Sequence, residues 1–198
     1  MSDRVVDAWI EAVPRDETRS AGKDGCLQVR GYAIVWNSPS ERMGSVIETI
    51  DARSLDHLGD LHAANVRMQI EHKDLAVAST AAGTLRLAKD EKGLRVEADL
   101  DERRSDSRDL YYAIERGDVT KMSFGFRIAP GGERLHEGED GIIRAHVTRI
   151  ERLYEVSAVT FPAYTSTSIE AVEDDHSTDD VEDRSWEVEL LRARLDLD

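Results

Sequence analysis

The feature that most constrains this chain is a run of short segments alternating apolar and polar residues, separated by turn signals. In TLRLAKDEKGLRVEADL (84–100), Leu85 and Leu87 precede a turn at Lys89 to Gly93. Leu94, Val96, Ala98 and Leu100 follow it on one parity. A period of two with a polar, glycine-containing break predicts a β-hairpin. The same pattern recurs in LQVRGYAIVW (27–36), SVIETI (45–50), VRMQIEH (66–72), TKMSFGFRI (120–128), IIRAHVTRI (142–150) and RLYEVSAVT (152–160). Seven or eight strands on short connections predict a mostly antiparallel sheet, curved or closed into a barrel. GGERLHEGEDG (131–141) is mostly polar and predicts a loop at a hairpin tip.

Two segments carry helical spacing. SDSRDLYYAIERG (105–117) offers Ser105 or Asp106 as N-cap, an apolar pair Leu110 and Ile114, and a stop at Gly117. SLDHLGDLHAAN (54–65) offers Ser54 as cap, with leucines at 55, 58 and 61. The expected class is therefore mainly β with flanking helices, α+β.

The chain has 198 residues, 40% of them apolar, which suits one domain with additional segments. Residues 1–26 read as an N-terminal extension with room for a first strand, 27–172 as the main domain, and 173–198 as an acidic tail. The tail holds eleven acids against three bases, and the whole chain carries a net charge of −15. That balance disfavours nonspecific nucleic-acid binding, which needs cations to displace counterions from phosphates. No stretch approaches the roughly 18 apolar residues that would span a bilayer. The N-terminus lacks the features of a secretory signal, so the expected compartment is a cytoplasm. A single cysteine, Cys26, excludes an internal disulfide and a cysteine-based zinc cluster. Within the tail, Trp186, Leu190, Leu191, Leu195 and Leu197 lie at partly helical spacing, predicting a short amphipathic docking helix.

Three residues stand out chemically. Ser123 in KMSFGF has the parity of Gly125 and Arg127, opposite Met122, Phe124, Phe126 and Ile128. A hydroxyl beside a glycine on the outer face would form an open, shallow patch for a peptide backbone. Taken alone, the pattern fits an ordinary surface serine better. His72 follows the strand VRMQIE. A neutral imidazole can take a proton from a hydroxyl and return it to a leaving amine. Alone, it is better read as a strand-end residue, and it continues the parity of Val66, Met68 and Ile70, which conflicts with that of Ser123. Glu155 in LYEVSAV is an acid within an apolar strand. Burying it calls for a partner, and an imidazole whose tautomer it fixes would serve. An outward position, or pairing with Arg149 or Arg152, satisfies the same pattern.

No HExxH, GxSxG, P-loop or GxGxxG motif occurs. His57 and His62 are five apart and do not align on one helix face. His136 and His146 lie in or beside the polar hairpin.

Together these segments resemble the prohead protease family of tailed bacteriophages. GYAIVWN (31–37) is similar to that family's opening strand, IEHKD (70–74) to its histidine motif and KDEKGLRVEADL (89–100) to its hairpin. LYYAIERGDVTKMSFGF (110–126) is similar to the helix leading into its serine motif, and LYEVSAVTFPAYTSTSIEAV (153–172) to its closing motif. The pieces run in the family's order from Val29 to Val172. One departure is TIDARSLDHL after Glu48, where the family commonly has proline-glycine-alanine-phenylalanine.

The resemblance implies an antiparallel β-barrel similar to the herpesvirus assembly proteases. It implies a serine endopeptidase with Ser123 as nucleophile, His72 as general base and Glu155 as orienting acid, needing no metal or organic cofactor. Arg127 and Arg144 are candidates to steady an oxyanion. The implied substrates are major capsid protein and scaffolding segments, and the protease itself, inside the assembling prohead in the bacterial cytoplasm. Neither nucleic acid nor membrane is an implied partner, and a homodimer or higher oligomer is compatible. The competing reading is a catalytically inactive acidic capsid-assembly or scaffolding protein of the same fold. A metal-dependent hydrolase using His57, His62 and His72 is a third.

Overall fold

The computed structural model describes residues 9–12, 26–61 and 63–160. Among the described residues, eleven strands appear in chain order: β1 (Ile10–Ala12), β2 (Cys26–Val35), β3 (Val46–Ile50), β4 (Arg67–Ile70), β5 (Lys73–Ser79), β6 (Leu85–Lys89), β7 (Gly93–Asp101), β8 (Lys121–Ile128), β9 (Glu133–Glu137), β10 (Ile143–Val147) and β11 (Ile150–Val159). One α-helix, α1 (Ser105–Arg116), lies between β7 and β8.

The described strands form three sheets, ordered β1-β2-β7-β6, β5-β4-β11-β8 and β3-β10-β9. Six of the eight pairings are antiparallel, while β10–β3 and β11–β4 are parallel. The fold is mainly β, as the alternation predicts. No sheet of described residues closes into a barrel.

The two four-stranded sheets and α1 share one core. Val29 and Ile34 from β2, Leu94, Val96 and Leu100 from β7, Met68 from β4, Met122 from β8 and Val156 from β11 belong to one buried cluster. The helix contributes Leu110, Tyr111 and Ile114. Each large side chain fully withdrawn from water contributes about 1.5–3 kcal/mol before its ordering entropy is counted. The third sheet carries a small cluster of its own, Val46, Ile143 and Ala145.

Local chemistry explains the boundaries and the departures from the sequence reading. The hairpin at 89–93 forms as expected, because Asp90 Oδ1 accepts the backbone N–H groups of Lys92 and Gly93 at 2.8 and 3.0 Å. Helix α1 ends at Gly117, whose φ of 83° is left-handed, with the Asp118 N–H bonded to Ala113 O at 2.8 Å. Its N-cap is Arg104, not Ser105 or Asp106. The Asp106 carboxylate is held by the Arg104 guanidinium and the Ser107 N–H instead.

The leucine-spaced segment 54–65 does not form an α-helix. It holds a 3-10 turn at Asp56–Leu58, ended by Gly59 at φ 65°. The polar stretch expected as a loop contains β9, a charged strand at the edge of its sheet paired with β10. Edge strands tolerate such composition because one side stays solvated.

Candidate active site

The site lies on the face of the β5-β4-β11-β8 sheet opposite the core, at the tip of the β4–β5 hairpin. The register fixes which residues meet there. Ser123 pairs with Ser157 across β8 and β11, and Gly125 pairs with Glu155. On the other side of β11, Gln69 of β4 pairs with Ser157 and Arg67 with Glu155. These residues share one face, because cross-strand partners point to the same side of a sheet. Met122, Phe124, Val156, Ala158 and Met68 occupy the other face and are buried.

Strict alternation would not put Glu155 on this face. Leu153 is buried and pairs with Phe126, so a period of two would turn Glu155 inward as well. The register shifts between Leu153 and Glu155, leaving Tyr154 as an extra residue. This β-bulge reverses the phase of the strand. Leu153 and Val156 both reach the core, and Glu155 and Ser157 both reach the site.

His72 is placed by the hairpin turn. Ile70 pairs with Lys73, so Glu71 and His72 are the two loop residues. Their φ angles are 52° and 57°. Positive φ at both central residues is what a type I′ hairpin turn requires, yet neither residue is Gly or Asn. The turn is tied to the end of β11. Glu71 N–H bonds to Ala158 O at 3.0 Å, and Thr160 N–H donates to Glu71 Oε1 at 2.6 Å. The parity conflict between His72 and Ser123 is thereby removed: the strand ends at Ile70, and the turn redirects the imidazole.

His72 Nδ1 lies 2.8 Å from Glu155 Oε1. With a carboxylate as acceptor, Nδ1 carries the proton and Nε2 is left as the basic nitrogen. Ser157 Oγ donates to Glu155 Oε2 at 2.5 Å. The His72 side chain is 46% exposed and the Glu155 side chain 12%. The hydrogen bond to Glu155 raises the His72 pKa, burial opposes it, and the charges of Glu155 and Glu71 add to the rise.

Ser123 faces away from Met122 and Phe124, as its parity predicts. It is only 4% exposed, however, where an open, shallow patch was expected around it. Glu155, bonded both to Ser157 and to His72, extends along this face beside it. Among the described residues, neither the Ser123 hydroxyl nor His72 Nε2 has a hydrogen-bond partner. The structure thus joins His72 to Glu155 directly and sets Ser123 across from Ser157 on the adjoining strand, without a Ser123–His72 bond.

The remaining candidates lie elsewhere or are otherwise engaged. Arg127 is ion-paired with Glu151 at 2.7 Å, and Arg144 sits on β10 of the third sheet, paired with Asp140. His57 lies in the 3-10 turn, His136 on β9, and His146 on β10 beside Thr49 and Asp51. His62, the Cys26 side chain and the tail lie outside the described residues. Sequence reading passed over Ser157 and Glu71. Ser157 sits two residues beyond Glu155, a hydroxyl inside an apolar run, and that is the signal that could have found it.

The caudovirus prohead serine protease family matches residues 14–182 of this chain. The chain belongs to that family. The prohead protease of Enterobacteria phage HK97 is 29% identical over 170 residues, covering 82% of this chain and 68% of that protein. No solved structure matches the chain.

Proposed function

We propose that this chain is a serine endopeptidase that cleaves scaffold or capsid protein segments, and itself, during prohead maturation. Ser123 is the nucleophile, His72 the general base and Glu155 the acid that orients it. The observation that carries this reading is the 2.8 Å contact of His72 Nδ1 with Glu155 Oε1, on the sheet face that also bears Ser123.

The chemistry runs as follows. Ser123 Oγ adds to the scissile carbonyl carbon while His72 Nε2 takes the hydroxyl proton. Glu155 holds the Nδ1–H tautomer and stabilises the imidazolium that forms. The imidazolium returns its proton to the leaving amine, the C–N bond breaks, and an acyl-Ser123 ester remains. Water, deprotonated by His72, adds to that ester, and the imidazolium then protonates Ser123 Oγ as the C–O bond breaks and the acid product leaves. The reaction requires Nε2 of the exposed His72 ring to come within hydrogen-bond reach of Oγ when a substrate is bound. Such bonds are often loose without substrate.

Three finer points belong to the same reading. The acidic segment 173–198 docks on scaffold or capsid subunits. Its deletion should reduce incorporation into proheads, and unchanged incorporation would remove the docking role. The substrate-bearing compartment is the assembling prohead in the host cytoplasm. The two four-stranded sheets approach a barrel like that of the herpesvirus assembly proteases. The Ile10 N–H to Thr120 O bond of 3.0 Å, between β1 and the residue preceding β8, supports this.

The test is co-expression with the phage's capsid protein, comparing wild type with Ser123→Ala and His72→Ala. Cleavage should fall by about four orders of magnitude or more in either variant, since nucleophile and base act as a unit. Equal processing by wild type and Ser123→Ala would instead favour an inactive assembly protein of this fold.

A further inference from the structure

We propose that Ser157 is a positioning residue for this site: its hydroxyl holds one oxygen of Glu155 so that the other is aimed at His72. The proposal rests on the reading of Glu155 as the orienting acid and assigns a function to a side chain the catalytic steps do not use.

Ser157 is fully buried, with 0% of its surface exposed, between Val156 and Ala158, which are also buried. A hydroxyl in such a place is unfavourable unless it is bonded. Its partner is Glu155 Oε2 at 2.5 Å, in the range of a hydroxyl donating to an ionised carboxylate. Glu155 therefore divides its oxygens: Oε2 accepts from Ser157, and Oε1 accepts from His72 Nδ1 at 2.8 Å.

The terminal torsion of a glutamate is broad and nearly free. One hydrogen bond, to an exposed imidazole on a hairpin tip, leaves the carboxylate plane able to turn. A second, from a buried group on its own strand, fixes the plane. The bulge at Tyr154 is what sets Glu155 and Ser157 on one face of β11. Ser157 is also the cross-strand neighbour of Ser123. One buried residue thus links the strand of the nucleophile to the orientation of the base.

The ordinary alternative is that Ser157 merely satisfies its own hydroxyl. The two differ in whether its effect passes through Glu155. The measurement is the rate of Ser123 modification by a fluorophosphonate probe, resolved into a maximal rate and an apparent affinity, on the full chain. Ser157→Ala should lower the maximal rate about tenfold and change the affinity less than about twofold. In a Glu155→Gln background the same substitution should lower it by less than about twofold further. Ser157→Cys, of similar size with a weak donor, should recover part of the loss. The downfield proton resonance of His72 Nδ1–H should broaden or vanish in Ser157→Ala and persist in Ser157→Cys.

An equal loss in both backgrounds, or no loss in either, overturns the proposal. The parent reading fails separately: labelling that persists in Ser123→Ala, or is unchanged by Glu155→Gln alone, removes the nucleophile or the acid, and Ser157 then has nothing to position.

Discussion

Gly125 and Glu155 face each other across β8 and β11, and a Cβ built on Gly125 would stand 2.5 Å from Glu155 Oε1. The carboxylate that meets His72 occupies the space a side chain on β8 would need. Gly125→Ala should push the Glu155 head aside and break its bond to His72. The displaced atoms are the end of a flexible side chain, so the loss of folding stability should stay near ~1 kcal/mol. The rate of cleavage should fall more, by about 10- to 100-fold, because the imidazole loses its orienting partner. Kinetics with urea unfolding on the same variant checks both. A stability loss with unchanged rate would contradict the geometry.

The His72–Glu155 pair predicts the direction of the pH dependence. His72 titrates above its ordinary value of 6.5, chiefly through its hydrogen bond to Glu155. A base must be neutral, so the acid limb of kcat/KM should have its midpoint above that value. Glu155→Gln should move it downward, since burial then acts with less opposition. For stability the sign is the reverse. A folded-state pKa raised above the unfolded one adds stability that is complete below about pH 6.5, and this contribution fades as pH rises through the folded-state value. An NMR titration of the His72 ring, with melting curves of wild type and Glu155→Gln at pH 5.5 and 8.5, would test both.

The turn that carries His72 trades backbone comfort for placement. Asn accepts positive φ more readily than His or Glu. His72→Asn should therefore keep the fold at pH 8.5, within about 0.5 kcal/mol of wild type or above it, while cleavage falls about 10⁴-fold or more. Glu71→Asn should ease the turn but lose the 2.6 Å bond from Thr160 N–H, so its effect should appear mainly in rate. Denaturant curves beside single-turnover assays separate the two.

Away from the site, Arg86 grips Asp99 with two hydrogen bonds of 2.8 and 2.9 Å, and Gln28 Nε2 adds a third at 2.9 Å. Asp99 is buried, while Arg86 is about a third exposed. Solvent screening reduces the worth of such a pair. Asp99→Ala should lower stability by about 1–2 kcal/mol and leave the pH profile of cleavage unchanged. Urea unfolding midpoints would read it.

Much of this was legible in the sequence because alternation reports which face of a strand is buried. Met122, Phe124, Val96, Leu100 and Met68 all sit where their parity predicts. Where one extra residue changes the phase, parity misleads. Nothing in LYEVSAV announces that Tyr154 is unpaired, so the shared face of Glu155 and Ser123 could not be read from it. The His72 conflict has a similar origin: a two-residue turn of Glu and His lacks the Asn-Gly signal that marks such turns. Strand β9 was invisible because a charged edge strand has no apolar period. The 54–65 segment had the leucine spacing of a helix, yet Gly59 and tertiary packing left only one 3-10 turn.

The sheet order β5-β4-β11-β8 places β11 between the hairpin of His72 and the strand of Ser123. Both precede β11 in the chain, and β11 pairs with β4 on one side and with β8 on the other. As the polypeptide leaves the ribosome, the strand of Ser123 and the hairpin of His72 are both made before the strand that pairs with each of them exists. A half-synthesised copy therefore lacks both the Glu155 carboxylate and the strand against which the other two residues are registered.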